Sequence, residues 1–300
     1  MAKFKAKYEV REGKLRCKLY HNIIISIKPS ITKEELGSLE TFFSLAKYNM
    51  NVEIVDSDHY LAIDPEGLEW SIRRMPLATF CDDTNFGPLL PYTQEPCEYK
   101  WFLHSLQNGG IFIDVGANVG GYSIRACKRG SKVIAVEPDP DNYQILKQNL
   151  VLNRCPNTIV LNIASGNKEE VCQLYYGCRR RPSGYSLMKP EGIGDIKCSI
   201  EVKPLDAVIP QLIGDEWISL LKVDVEGLEV EVIIGALNIL KRTHYLIVEV
   251  IPGTKSKMLE LLQILKPLGF KVVDVVCKRF QPFDRTNVQS YCNLFLQKSA

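Results

Sequence analysis

The chain has 300 residues, 46% of them hydrophobic, with 37 basic and 35 acidic side chains. That length is about twice a typical domain, buries roughly 75% of the unfolded surface and needs neither disulfides nor metals to hold a core. The near-balance of charge excludes a broad nucleic-acid-binding face and leaves room only for a local one, such as Arg179, Arg180 and Arg181.

The amino terminus through Lys18 is basic but carries no apolar stretch of the signal-peptide kind, and the purely apolar runs are far below membrane-spanning length. A cytoplasmic location is therefore expected. Ten cysteines are many for such a chain, yet none form a C-x-x-C pair and no histidine follows at zinc-finger spacing. Reduced, mostly buried thiols are the expectation, with one or more disulfides as the alternative.

In chain order, apolar stretches at Leu15 to Ile27 and Val52 to Ile63 are separated by turn signals at Lys28-Pro29-Ser30 and Asp64-Pro65-Glu66-Gly67. Between them, Thr32 and Glu35 form a capping box that opens a helical pattern through Leu36, Leu39, Phe42, Phe43 and Ala46. Residues 1–92 thus read as a small α+β region that binds the acceptor or a partner. Pro76, Pro88, Pro91 and Pro96 predict an irregular connector that holds the domain boundary.

Residues 93–300 change to alternating strands and helices. Strands are predicted at Ile111–Val115, Lys132–Val136, Thr158–Ile163, Ser219–Val223, His244–Val250, Phe270–Val276 and near Asn293–Leu296. Helices are predicted at Tyr122–Lys128, Pro140–Asn149, Val230–Leu240 and Lys255–Leu265. Almost wholly apolar strands between amphipathic helices predict a Rossmann-like α/β fold, a doubly wound sheet covered on both faces.

Three motifs carry chemistry. The first strand runs through Asp114 into a turn containing Gly116, Asn118, Gly120 and Gly121. This spacing omits the middle glycine that brings a helix N-terminus against a pyrophosphate, and the Asp114 carboxylate repels a diphosphate while suiting an ammonium or sulfonium group. Glu137 ends the next strand about twenty residues on, where a carboxylate accepts hydrogen bonds from ribose hydroxyls. Lys222, Asp224 and Glu226 alternate at the end of a later strand, on one face of the extended chain until Gly227 turns it.

These motifs and their order, Asp114-Val-Gly-Ala-Asn-Val-Gly120, Val136-Glu-Pro-Asp139, Leu205-Asp206 and Leu221-Lys-Val-Asp-Val-Glu-Gly-Leu-Glu229, resemble the FkbM family of S-adenosylmethionine-dependent methyltransferases. Upstream, Glu95-Pro96 matches a pair that this family often carries. The resemblance spans roughly Glu95 to Phe295. It implies a seven-stranded class I methyltransferase sheet whose last strand is antiparallel, S-adenosyl-L-methionine as cofactor, and a hydroxyl on a sugar, glycan or small metabolite as acceptor. Carried over by position, Asp114, Gly116, Asn118 and Gly120 would surround the methionine part and Glu137 would bind the ribose. Asp139 would sit at the ribose edge and Asn162 near the adenine. Asp224, then Glu226, then Glu249 are the candidates to orient or deprotonate the acceptor. No metal site is assigned, although those three acids are oxygen ligands of the kind that suit magnesium or calcium. An RNA ribose methyltransferase, with Arg179–Arg181 holding phosphates, and a non-enzymatic cofactor-binding scaffold are the competing readings. His244 reads as structural because it begins the strand that Glu249 ends, and His21, His59 and His104 have no catalytic context.

Overall fold

The computed structural model describes residues 8–11, 14–17, 24–26, 51–54, 59–73, 95–175, 196–250, 255–280 and 289–299. The helix predicted from Thr32, most of the proline-rich connector and Arg179–Arg181 lie outside these residues.

A seven-stranded sheet organises the second half of the chain. Its strands are β7 (Ile111–Val115), β8 (Lys132–Val136), β9 (Ile159–Leu161), β13 (Ile218–Val223), β14 (Thr243–Val250), β15 (Phe270–Phe280) and β16 (Gln289–Lys298), in the spatial order β15-β16-β14-β13-β7-β8-β9. β14, β13, β7, β8 and β9 run parallel, and β16 pairs antiparallel with both β14 and β15. This is the class I methyltransferase sheet: an open, Rossmann-like α/β arrangement with the last strand reversed and inserted beside the edge.

The central strands are apolar on both faces because helices cover both. On one face Ile113, Val136, Leu221, Val248 and Leu294 pack in one core with α4 (Leu205–Ile213), α5 (Glu229–Ile234), α6 (Leu237–Leu240) and α7 (Lys255–Leu265). On the other, Phe112, Leu220, Ile247 and Phe295 meet Phe102 of α1 (Pro96–Ser105) and Tyr122 and Ala126 of α2 (Gly121–Lys128). Along this second face each strand turns polar toward the same end of the sheet. Phe112 is followed by Asp114, Leu220 by Lys222 and Ile247 by Glu249, while on antiparallel β16 Asn293 precedes Phe295. Side chains two apart share a face, so these polar groups converge at the carboxyl ends of the parallel strands.

Several elements depart from the pattern read in the sequence. Pro96 does not continue a connector but opens α1 at its first turn, where proline's missing N–H has no partner to lose. The helix expected over Val230–Leu240 is two helices broken at Gly235, where an added Cβ would lie 1.9 Å from the Gly166 carbonyl oxygen. A three-stranded sheet of β10 (Ala164–Ser165), β12 (Ile196–Lys203) and β11 (Glu170–Tyr175) was not anticipated. α3 (Pro140–Leu152) runs three residues past its predicted end. The cysteines also differ: Cys127 and Cys155 are disulfide-bonded, as is Cys292, whereas Cys97, Cys172 and Cys198 are free.

The amino-terminal strands β1 (Tyr8–Arg11), β2 (Lys14–Cys17), β3 (Ile24–Ser26), β4 (Asn51–Ile54), β5 (His59–Ile63) and β6 (Glu69–Arg73) form one sheet in sequence order. Its last hairpin is docked on the larger fold. Asn149 and Asn153, four apart on or just after α3, accept the Ser71 and Glu69 backbone N–H groups at 2.6 and 2.9 Å. In the turn between β5 and β6, Asp64 and Glu66 both take the guanidinium of Arg125 from α2 at 2.5 Å, and Arg125 and Asp64 are fully buried. Among the described residues no helix is long and apolar enough to cross a membrane.

Candidate active site

The turn after β7 is shaped by backbone geometry. Gly116 has φ +82°, and a Cβ there would fall 1.7 Å from the Asp224 carbonyl oxygen, so only glycine lets the turn lie against the end of β13. Asn118 is also left-handed, at φ +51°, a conformation that asparagine tolerates better than most residues. Its N–H donates to Glu137 Oε2 at 2.7 Å. Gly120 serves packing, since a Cβ there would sit 2.6 Å from Leu146 of α3.

Glu137 stands just past β8, nearly buried, and its other oxygen accepts the Asp139 N–H at 2.9 Å. Burial pushes its carboxyl up to about 8 despite those bonds. The Asn162 amide donates to the Glu137 and Pro138 carbonyls at 2.9 and 3.0 Å, which fixes the backbone carrying Glu137. Asp139 is fully buried, caps α3 by accepting the Asp141 and Asn142 N–H groups, and pairs with Lys197 of β12. Its carboxylate is thus held by both the α3 N-terminus and a lysine.

The second half of the site is a cluster of ionisable groups around Lys222. The buried Lys222 ammonium lies 2.7 Å from Asp224 Oδ2, 3.6 Å from Glu98 Oε1 and 4.9 Å from the centre of the Tyr122 ring. Burial disfavours its charge, but Asp224, Glu98 and Asp114 outweigh that and hold it well above the usual lysine range. For Asp224 burial likewise raises the carboxyl, and Lys222 with a hydrogen bond from Glu249 overcomes it, so Asp224 stays below its ordinary value. Glu249 is driven well above the carboxylate range by burial and by the Asp224 charge. Glu226, held at φ +54°, is raised to about 8 by burial and then by Asp224. Oxygens of Asp224, Glu226 and Glu249 all lie within 4.8 Å of one another. Asp114 is buried beneath this group, bonded to Ser123 of α2 at 2.6 Å, and burial raises its carboxyl too.

The structure therefore brings Asp114, Gly116, Asn118, Glu137, Asn162, Asp224, Glu226 and Glu249 to the carboxyl end of one sheet. Glu95, just before α1, and Glu98 on it complete the cluster, with the Tyr122 hydroxyl donating to Glu95 at 3.0 Å. The Glu95-Pro96 pair was the only sequence signal for that helix, and nothing marked Glu98, Tyr122 or Lys197 in advance. His244 stacks on Trp217 at the opposite end of β14, with ring centres 4.7 Å apart. His104, on α1, lies edge-on to Trp101 and Tyr245.

Residues 114–272 match the model of the methyltransferase FkbM domain. The chain is 30% identical over 169 residues to the hexuronic acid methyltransferase AglP of Haloferax volcanii, covering 53% of this chain and 63% of that protein. It is 30% identical over 168 residues to the methyltransferase sdnD of Sordaria araneosa, covering 46% of this chain and 64% of that protein. The match thus spans less than two thirds of the length of either relative. A precorrin-6y C5,15-methyltransferase from Geobacter metallireducens superimposes with a TM-score of 0.41 at 15% identity, over 69% of this chain and 90% of that one. The matched span contains the glycine turn, Glu137 and the Lys222–Glu226 strand end, and the chain belongs to the FkbM methyltransferase family.

Proposed function

We propose that the chain transfers a methyl group from S-adenosyl-L-methionine to a hydroxyl of a sugar or glycan. The observation that carries this reading is the junction of two half-sites at one sheet end: a glycine turn tied to the buried Glu137 carboxylate, and a carboxylate cluster directly beside it. The residues present fit that cofactor. Gly116 lets the turn lie against the end of β13, which brings the two half-sites together, Glu137 offers two oxygens at a strand end, and the excess of carboxylates suits a cation. The hexuronic acid methyltransferase among the relatives supports a sugar acceptor.

When bound, the cofactor supplies an electrophilic methyl on a sulfonium. Glu137 would accept ribose hydroxyls, and Asn162 would keep its backbone in place. The Asp114 carboxylate, braced by Ser123, would face the positive end of the methionine part. Asp224, kept ionised by Lys222, would accept a hydrogen bond from the acceptor hydroxyl and aim its oxygen, with Glu226, ionised above about pH 8, as the neighbour able to hold the released proton. Alignment of the reacting atoms and exclusion of water supply most of the rate, and proton handling adds about 10²–10⁴-fold. The amino-terminal region, residues 1–92, would contribute acceptor or partner contacts through the hairpin docked on α2 and α3.

The test is incubation with methyl-labelled cofactor and candidate hexuronic acids, glycans and RNA, run beside Asp224→Asn. Label in a sugar hydroxyl, with turnover about 10²-fold lower in Asp224→Asn and S-adenosylhomocysteine affinity changed less than about tenfold, supports the reading. Label recovered only in RNA, or a variant that loses cofactor and activity together, contradicts it.

A further inference from the structure

Oxygens of Asp224, Glu226 and Glu249 converge within 4.8 Å, and all three residues are only half-buried. A cation bound at about 2.3–2.6 Å spans roughly 4.6–5.2 Å between opposite ligand oxygens, so the three oxygens are close enough to share one hard ion. Lys222, the ammonium at this strand end, is already shared between Asp224 and Glu98.

An acidic cluster alone is common on protein surfaces, and the second observation is Asn293. It is 1% exposed, and its Oδ1 has no hydrogen-bond donor. A buried amide oxygen left without a partner is costly and rare unless something meets it. Asn293 lies directly opposite Glu249 in the antiparallel pairing of β14 with β16. Side chains so paired leave the same face of the sheet with Cβ atoms about 4.5–5.5 Å apart. The amide oxygen and the three carboxylates therefore come from the middle of β16 and the adjacent ends of β14 and β13.

We propose that these residues form a binding site for a hard divalent cation of the magnesium, calcium or manganese type, with Asp224, Glu226, Glu249 and the Asn293 side-chain oxygen as its protein ligands. The all-oxygen set, without histidine or thiolate, disfavours zinc or copper. Four protein oxygens leave coordination positions open. Where the proposed methyl transfer holds, on which this consequence rests, those positions would take acceptor hydroxyls and present them beside the donor.

The test uses the full chain treated with chelator, without donor or acceptor, titrated with Mn²⁺ while the free ion is followed by electron paramagnetic resonance. One saturable Mn²⁺ per chain, displaced by Mg²⁺ or Ca²⁺, is expected. Glu249→Gln and Asn293→Leu should each weaken it by at least about tenfold, Asn293→Asp should restore it, and the exposed Asp215→Asn should leave it unchanged. Absence of saturable Mn²⁺ binding by the unaltered chain up to about 10 mM overturns the proposal, whether or not any variant folds. So does unchanged affinity in Glu249→Gln and Asn293→Leu proteins whose circular dichroism is native. Titration with S-adenosylhomocysteine keeps the two readings apart. A chain that binds it but not Mn²⁺ ends the cation site alone, and one that binds Mn²⁺ but not the nucleoside supports the cation site and ends the donor reading.

Discussion

Glu137 and Asp224 stand at the ends of β8 and β13, on either side of β7, with opposite protonation tendencies, and each has its own consequence. Burial holds Glu137 protonated until about pH 8, whereas hydroxyl donors on a ligand favour the ionised form. Binding therefore releases a proton, and affinity for S-adenosylhomocysteine should rise from pH 6 to about 8 and then level, by at most about tenfold per pH unit. Calorimetry across that range checks the slope, and Glu137→Gln should flatten it. At pH 8, Glu137→Ala should cost roughly 1.5–3 kcal/mol of binding, the worth of hydrogen bonds to a charged acceptor. An unchanged affinity, or a pH dependence identical in Glu137→Gln, would mean that the ribose contacts another group.

The glycine turn is the element on which both half-sites depend, and two glycines test that directly. Gly116 and Gly130 have nearly equal φ, +82° and +83°, but a Cβ at Gly116 meets the Asp224 carbonyl at 1.7 Å whereas one at Gly130 meets nothing within 4 Å. Gly130→Ala should cost only backbone strain, about 1–2 kcal/mol. Gly116→Ala must also push β7 from β13 and should cost about 3 kcal/mol or more and abolish nucleoside binding. Urea unfolding of both variants gives the comparison, and equal losses would contradict the close approach. This element was legible in the sequence because a strand, a glycine spacing and a following helix are local signals. The strand ends carrying Glu137, Asp224 and Glu249 were legible for the same reason: apolar runs stop at ionisable residues. The partners were not. Glu98 reaches Lys222 across 124 positions of sequence, and Cys127 reaches Cys155 across 28, so only tertiary packing brings either pair together. Pro96 misled because proline marks the start of a helix as readily as the end of one. The β10–β12 sheet escaped notice because its strands lack the apolar density of the central ones, with Val171 and Ile196 facing outward.

At the scale of the whole molecule, the amino-terminal sheet is joined to the methyltransferase fold through buried charge. Asp64 accepts bonds from Arg125, from Trp70 Nε1 at 3.1 Å and from the Glu66 and Leu68 backbone. Arg125→Met keeps most of the volume but leaves Asp64 buried without its cation, at a cost of about 3–5 kcal/mol. Hydrogen exchange should show residues 59–73 losing protection before the central strands do; a variant within about 0.5 kcal/mol of the parent would show that the hairpin is held by apolar contact alone. The central claim concerns what this assembly binds at the carboxyl ends of its strands. The turn lacks the glycine that admits a pyrophosphate, and the buried Asp114 would repel one, while Glu137 and the carboxylate cluster favour an adenosine carrying a positive group. Calorimetric titration of the full chain with S-adenosylhomocysteine and with NAD⁺ tests this most directly. Saturable one-site binding of S-adenosylhomocysteine, with NAD⁺ much weaker, is the predicted result; no binding of S-adenosylhomocysteine, or tighter binding of NAD⁺, would contradict it.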